Sequence, residues 1–145
     1  MDTSGARLWL IIWKAYESLR EHAYRHIASL GLGLSDFAIL EVLLHKGPQP
    51  VNAMRHPVSL TSGSLTVAVD RLERKLLVKR RNSPKDRRTR VVHLTDAGER
   101  LIRCAFADHE AAMDRAASGL SAEERAQAIV LLKKLGLSAQ AMLEE

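Results

Sequence analysis

The chain has 145 residues, enough for one compact domain with a sizeable core, and it shows no secretory signal. It lacks the run of about 20 apolar residues that a membrane span needs, and its single cysteine, Cys104, excludes an internal disulfide, so we expect a cytoplasmic protein without a membrane partner. Aromatic residues make up only 4% of the chain, which argues against a single-strand binder that stacks bases on aromatic side chains.

The positive charge is concentrated in one segment. The formal net charge is +5, but residues 71–90 contain ten basic and two acidic residues, an excess of +8, so the rest of the chain sums to −3. A local excess of this kind is expected where a protein contacts a polyanion.

In the first half of the chain, apolar spacing predicts a long helix over residues 6–30. Ser35 is expected to cap a second helix that reaches about Lys46. Residues 47–50 (Gly-Pro-Gln-Pro) form a break. A short third helix over residues 51–56 is then ended or distorted by Pro57.

In the second half, a fourth helix begins at Thr61 or Ser62, and its apolar face comprises Leu65, Val69, Leu72 and Leu76. Two short strands, 78–81 and 90–94, enclose a polar loop and predict a hairpin. Thr95 caps a fifth helix to about Ser118, and the Ser121/Glu124 capping box opens a sixth.

This order predicts a mainly α fold with a small β-hairpin wing, a winged helix-turn-helix. The long helices at both ends of the chain have no obvious partner within it, and a second copy could supply one. We therefore expect flanking N- and C-terminal dimerisation helices.

The fourth helix is the predicted recognition helix, whose N-terminal residues meet base edges in a major groove. Small hydroxyl residues there suit phosphates or bases, a glycine permits close backbone approach, and the helix N-terminus favours phosphate. The candidate DNA contacts in this helix are Thr61, Ser62, Gly63, Ser64, Thr66, Val67 and Arg71.

The hairpin is the second candidate DNA-binding element, because an arginine-bearing tip can enter a minor groove. Asp86 is expected to hold the side chain of Arg88 or Arg87 in position through a fork-shaped hydrogen bond. The candidate DNA contacts in the wing are Lys79, Arg81, Lys85, Asp86, Arg87, Arg88 and Arg90.

The chain resembles the MarR family of bacterial transcription regulators in four stretches of sequence: Leu60–Thr66, Asp70–Lys75, Asp86–Arg88 and Leu94–Gly98. The resemblance implies one domain over residues 1–145. Its winged helix-turn-helix would be residues 34–95, flanked by dimerisation helices 6–30 and 96–143. It also implies an obligate homodimer on a palindromic double-stranded DNA site, a repressor released by a small, often phenolic, effector.

Two positions depart from the family pattern. Leu76 stands in the turn after the recognition helix, where glycine is frequent; because leucine disfavours left-handed backbone angles, a slightly different turn is expected. Pro57 stands near the end of the third helix, where a helical residue is usual.

Other functions are less well supported. No phosphate-binding glycine loop or Ser-His-Asp set is present, so we expect no enzymatic activity. His22 and His26 share a helical face that would suit a metal, and Cys104 lies near Arg103 and Arg100. We interpret the histidines as surface or interface residues and Cys104 as a core or interface residue. A metal- or redox-sensing family member, and a winged-helix module that binds protein, remain alternatives.

No cofactor is expected, apart from a small aromatic or phenolic effector. Candidate pocket residues are aromatic side chains that could equally pack a dimer interface: Trp9, Trp13, Tyr16, Phe37, His45 and Phe106.

Overall fold

The computed structural model describes residues 1–144. These residues form five α-helices, one short 3₁₀ helix and three strands, and the predicted fourth, fifth and sixth helices become α3, α4 and α5. In chain order the elements are α1 (Gly5–Ser29), α2 (Leu34–Lys46), β1 (Gln49–Pro50), the 3₁₀ helix (Val51–Met54), α3 (Ser62–Arg74), β2 (Val78–Asn82), β3 (Arg90–Leu94), α4 (Asp96–Ala116) and α5 (Ala122–Leu143).

The predicted hairpin is confirmed, and it belongs to a three-stranded antiparallel sheet with the order β1-β3-β2. Val78 pairs with Leu94 at its base and Asn82 pairs with Arg90 near its tip. The segment expected to be only a break also supplies β1, whose Gln49 pairs with Val92. Pro50 is tolerated in β1 because this strand lies at the sheet edge.

The core lies between α2, α3, α4 and the base of the sheet. Burying each large apolar side chain stabilises the fold by about 1.5–3 kcal/mol. The largest fully buried side chains are Ile39, Leu40, Met54, Leu65, Leu72, Ile102, Val69, Val78 and Val92.

Helix α3 is amphipathic, and this decides which of its residues can meet a ligand. Leu65, Val69 and Leu72 are fully buried, as their spacing predicts. The inclusion of Leu76 in that face is wrong, because Leu76 lies beyond the last helical residue and is 73% exposed.

The turn after α3 also differs from expectation. Leu76 adopts a left-handed conformation with φ of 59°. Its N–H donates to the Glu73 carbonyl and that of Leu77 to the Leu72 carbonyl, the pattern of a Schellman helix end that usually uses glycine. The expectation that leucine would avoid this geometry is wrong, because the two hydrogen bonds and the packing of Leu77 hold the turn in place.

Helix ends were predicted with mixed success. Thr61, Thr95 and the Ser121/Glu124 box cap α3, α4 and α5 as expected. The N-cap of α2 is Gly33 rather than Ser35. The predicted third helix is a single 3₁₀ turn that ends at Met54, before Pro57.

The terminal helices are only partly accommodated within one chain. The C-terminal end of α1 packs on the core through Ile27 and contacts α4, whereas its N-terminal part is exposed. Among the described residues of α5, none is buried. No single described helix is long and apolar enough to cross a membrane; α1 and α2 pass that test only as a pair bent by 93°.

Candidate nucleic-acid interface

The N-terminal end of α3 presents four exposed small residues, Thr61, Ser62, Gly63 and Ser64. The Thr61 hydroxyl accepts the Ser64 N–H at 3.2 Å and donates to the Ser64 hydroxyl at 3.0 Å. Thr66 donates its hydroxyl to the Ser62 carbonyl at 3.0 Å. This end of the helix is therefore ordered by its own side chains and carries the positive end of the helix dipole at an exposed surface.

Further along α3, Arg71 is bound to a buried carboxylate. Asp36 of α2 is only 2% exposed, and its Oδ1 accepts from Arg71 Nε at 3.0 Å as well as from Nη2. Arg71 Nη2 also donates to the Ser35 hydroxyl at 3.2 Å, and Lys75 Nζ lies 3.3 Å from Asp36 Oδ2. The hydrogen bond to Asp36 raises the pKa of Arg71, against the opposing effect of burial.

This pairing changes the interpretation of Arg71. Its assignment as a DNA contact stays a prediction, but reaching DNA would require its guanidinium to leave a buried carboxylate, which is costly. Sequence reasoning missed Asp36, because an acid in the first turn of a helix is usually a solvated residue that interacts with the helix dipole.

The wing loop is organised by Asp86, but not in the predicted way. Asp86 Oδ1 accepts the Arg88 backbone N–H at 2.9 Å, and Oδ2 accepts the Thr89 hydroxyl at 3.1 Å. Across the loop, Ser83 N–H donates to the Thr89 carbonyl at 2.8 Å. Within residues 1–144, neither Asp86 oxygen contacts a guanidinium, so the prediction of a fork-shaped bond to Arg87 or Arg88 is wrong. Donors two and three residues away reach the carboxylate first.

The loop therefore presents its cations outward. Lys85, Arg87 and Arg88 are exposed at the tip, and Arg81 and Arg90 are exposed on the strands. Lys79 is half-buried and pairs across the sheet with His93. Burial, followed by the charges of Arg81 and Lys79, lowers the pKa of His93.

The basic segment is less uniformly available than its charge count suggests. Arg71 and Lys75 bind Asp36, and Arg80 binds Asp70 and Glu73. Three of its ten cations are therefore held by carboxylates within the fold. In the part of the chain that the structure describes, no ion pair engages the wing-tip cations.

The candidate pocket residues fall into separate groups. Trp9 and Trp13 stack on the exposed part of α1, with ring centroids 6.3 Å apart. Tyr16 lies near Arg20 of the same helix. His45 meets Phe106 edge to face at 4.5 Å, and Phe37 is buried against His109.

The two sensing alternatives depend on the histidines and on Cys104. His26 pairs with His109 of α4, with their Nδ1 atoms 3.2 Å apart, so it is a half-buried contact residue. Within residues 1–144, no three or more His, Cys, Asp or Glu side chains are grouped to hold a metal ion. Cys104 is exposed, so it is not a core residue of this chain.

The MarR family model matches residues 32–89, which include α2, α3 and most of the wing. HTH-type transcriptional regulator MhqR of Bacillus subtilis (strain 168) is 39% identical over 140 residues, covering 97% of each chain. The protein belongs to the MarR family. A second B. subtilis member of the family, the uncharacterized HTH-type transcriptional regulator YkoM, is 38% identical over 94% of this chain and 88% of its own.

Solved MarR-family structures share this fold. One is a mutant of Escherichia coli MarR complexed with operator DNA, which is 23% identical, with a TM-score of 0.74 over 89% of this chain and 93% of its own. Another is the Mycobacterium tuberculosis MarR family protein RV2887 in complex with p-aminosalicylic acid, which is 25% identical, with a TM-score of 0.72 over 89% and 98%. As a MarR-family member, the protein is a DNA-binding transcription regulator with a winged helix-turn-helix.

Proposed function

We propose that this MarR-family protein is a cytoplasmic repressor, without enzymatic activity, that binds a palindromic operator as a homodimer. Helix α3 enters the major groove through Thr61–Ser64, Thr66 and Val67, and the wing enters the adjacent minor groove. A small aromatic or phenolic effector releases the DNA.

The observation that carries this proposal is the geometry of the wing tip. Asp86 uses both of its carboxylate oxygens to fold the loop, so that Lys85, Arg87 and Arg88 project from a narrow, self-ordered turn. Exposed arginines on such a tip match the negative potential of a minor groove. The bound operator of the E. coli MarR mutant supports the same use of this shared fold.

The homodimer is supported by the terminal helices. The described part of α5 buries no residue, yet it exposes Val130, Leu131 and Leu132 in a row, and α1 exposes Trp9 and Trp13. This much exposed apolar surface on two helices is typical of an interface. Two copies would place two recognition helices about 34 Å apart, one turn of B-DNA, which is why the site should be palindromic.

The effector is proposed to act by shifting populations. In this proposal the dimer has a conformation whose two recognition helices are not spaced to fit the operator. A ligand that binds this conformation more tightly increases its population and so lowers operator affinity. RV2887 was solved with p-aminosalicylic acid, a small phenolic carboxylate. In this chain the candidate residues lie on α1 and α4, which belong to the flanking helices, and on α2, which belongs to the winged helix-turn-helix.

Sequencing genomic DNA fragments that the purified protein retains tests this function. The expected result is enrichment of fragments sharing a palindrome, lost in a K85A/R87A/R88A variant. Sedimentation at micromolar concentration should show a dimer for both proteins. A monomer would count strongly against the proposal. If the protein instead bound protein partners, and bound them equally well with and without the three wing substitutions, a protein-interaction module would be favoured.

A further inference from the structure

Arg80 differs from the other cations of the wing. It lies in β2 beside Lys79 and Arg81, but its side chain is only 15% exposed. Successive strand residues point to opposite faces, so Arg80 shares a face with the fully buried Val78, which packs in the core. Its guanidinium is therefore directed toward α3 rather than away from the protein.

Three hydrogen bonds join Arg80 to α3. Its backbone N–H donates to Glu73 Oε2 at 3.0 Å and Nη1 to Glu73 Oε1 at 3.2 Å, while Nη2 donates to Asp70 Oδ1 at 2.6 Å. Asp70 and Glu73 are three residues apart and so lie on one side of the helix. The planar guanidinium fork spans both carboxylates, which a single ammonium group cannot do in the same geometry.

These contacts have more effect on orientation than on stability. Asp70 and Glu73 keep 51% and 43% of their side-chain surface exposed, and exposed ion pairs are weak. The wing tip, however, extends beyond Arg80 by two further strand residues and a loop, roughly 10 Å at a strand rise of about 3.3 Å per residue. A rotation of about 17° at Arg80 would therefore displace Arg88 by about 3 Å, the length of a hydrogen bond.

We infer that Arg80 is a positioning residue for DNA recognition: it sets the angle between the wing and the recognition helix, and it does not contact phosphate. This inference rests on the proposed two-groove binding. According to this inference, the exposed cations of the wing contact DNA, whereas Arg80 holds the wing in the orientation that lets them do so.

The decisive variant is Arg80→Lys, with Arg103→Lys as its matched control, an ion-paired arginine outside α3 and the wing. Lysine serves well at a phosphate contact but cannot reproduce the two-carboxylate fork. We expect R80K and R80A to lower operator affinity similarly, by about tenfold, the size of one lost contact. R103K should stay near wild type, because Arg103 is an exposed arginine that pairs with Glu99 of its own helix.

Salt dependence provides the second readout. The slope of log affinity against log salt concentration should be unchanged in R80A, whereas R81A should reduce it by about 0.9, one phosphate contact. Thermal unfolding of each variant checks that the fold is intact. The inference is overturned if R80K binds like the wild type while R80A loses both affinity and slope, or if neither variant changes binding.

A measurement without DNA separates this inference from the proposed function. In a C104S background, spin labels at V67C and K85C report the distance between α3 and the wing tip. The distance distribution should be narrow with Arg80 and broader with R80K. An equally narrow distribution in R80K would overturn the inference, whereas failure of the wild-type protein to bind any operator would overturn only the proposed function.

Discussion

The carbonyl oxygen of Leu77 occupies the space that a side chain on Gly98 would need. An ideal Cβ at residue 98 would lie far closer to this oxygen than the 3.0 Å below which real Cβ atoms essentially never approach a neighbour. Thr95 completes the junction, because its N–H donates to the Leu77 carbonyl at 3.1 Å and its hydroxyl to the Leu76 carbonyl at 2.7 Å. The turn that follows α3 is thus packed against the first turn of α4.

Gly98→Ala should therefore lower the free energy of unfolding by about 2 kcal/mol, a typical cost of overpacking against atoms that cannot move away. Urea denaturation measures it. Gly119→Ala is the control, since a Cβ there meets nothing within 4 Å. If G98A were as stable as the wild type, the junction would be looser than the structure has it.

Leu76 carries a backbone cost that substitution can reveal. At φ of 59°, a leucine is strained by roughly 1–2 kcal/mol and glycine is not. Leu76→Gly should therefore be more stable than Leu76→Ala, by about 1 kcal/mol in urea denaturation, the reverse of the usual order within a helix. Both variants lack the leucine side chain beyond Cβ, so their difference reports the cost of a Cβ in the left-handed conformation. Greater stability of L76A would mean that the left-handed turn is not maintained in solution.

In the wing, Arg88→Ala should weaken operator binding by about 1–3 kcal/mol. Asp86→Ala should also weaken it, even though a negative charge is removed, because the loop loses its bonds to Arg88 N–H and the Thr89 hydroxyl. Asp86→Asn, which keeps an acceptor oxygen, should retain more affinity than D86A. Fluorescence anisotropy with labelled operator measures all three. Tighter binding by D86A would disprove the organising role.

Lys79 and Lys85 give a separate prediction, since both are candidate phosphate contacts. Replacing either by alanine should reduce the salt slope of operator binding by about 0.9 and should affect different sequences equally. Titrations at several salt concentrations, on operator and on unrelated DNA, test this. Loss confined to the operator would instead indicate base readout.

The His26–His109 pair predicts a pH effect. Burial, and secondarily the charge of His26, lowers the pKa of His109 below its usual 6.5. The folded state therefore prefers neutral His109, and this stabilisation, complete above pH 6.5, is lost as the pH falls toward the lowered value. Arg25 and Arg115 line the same groove and add positive charge, and His22 lies beside them.

Between about pH 7.5 and 5.5, which spans the usual histidine pKa, the wild-type melting temperature should fall more than that of His109→Gln. His93 titrates in both proteins, so its contribution cancels in the comparison. Parallel pH profiles would show that protonation of His109 does not oppose folding.

Local signals in the sequence were sufficient for much of this fold. Apolar spacing located α1, the capping residues Thr95 and Ser121 located α4 and α5, and two short strands around a polar loop indicated the wing hairpin. These features depend on neighbours within a few turns, so a single sequence reveals them.

Features that depend on distant partners were missed. Strand β1 is only two residues long and exists because β3 is beside it. Asp36 is buried because Arg71, 35 residues later, neutralises it. The left-handed turn at Leu76 is held by the start of α4, because the hydroxyl of its N-cap Thr95 donates to the Leu76 carbonyl. The positions of α3 and of the wing hairpin were predictable from the sequence, but which cations of residues 1–144 take part in ion pairs depends on these tertiary pairings.

Helix α5 has a consequence for the abundance of the protein. Its 22 residues, Ala122–Leu143, include none that is buried within one chain, and a helix with little packing is marginal in water. If a second copy supplies that packing, folding of this segment becomes a bimolecular event, and stability depends on protomer concentration. Newly made chains would then stay vulnerable to proteolysis until they dimerise. The protein would therefore be stable in the cell only above a threshold copy number, and below it the chains would be degraded.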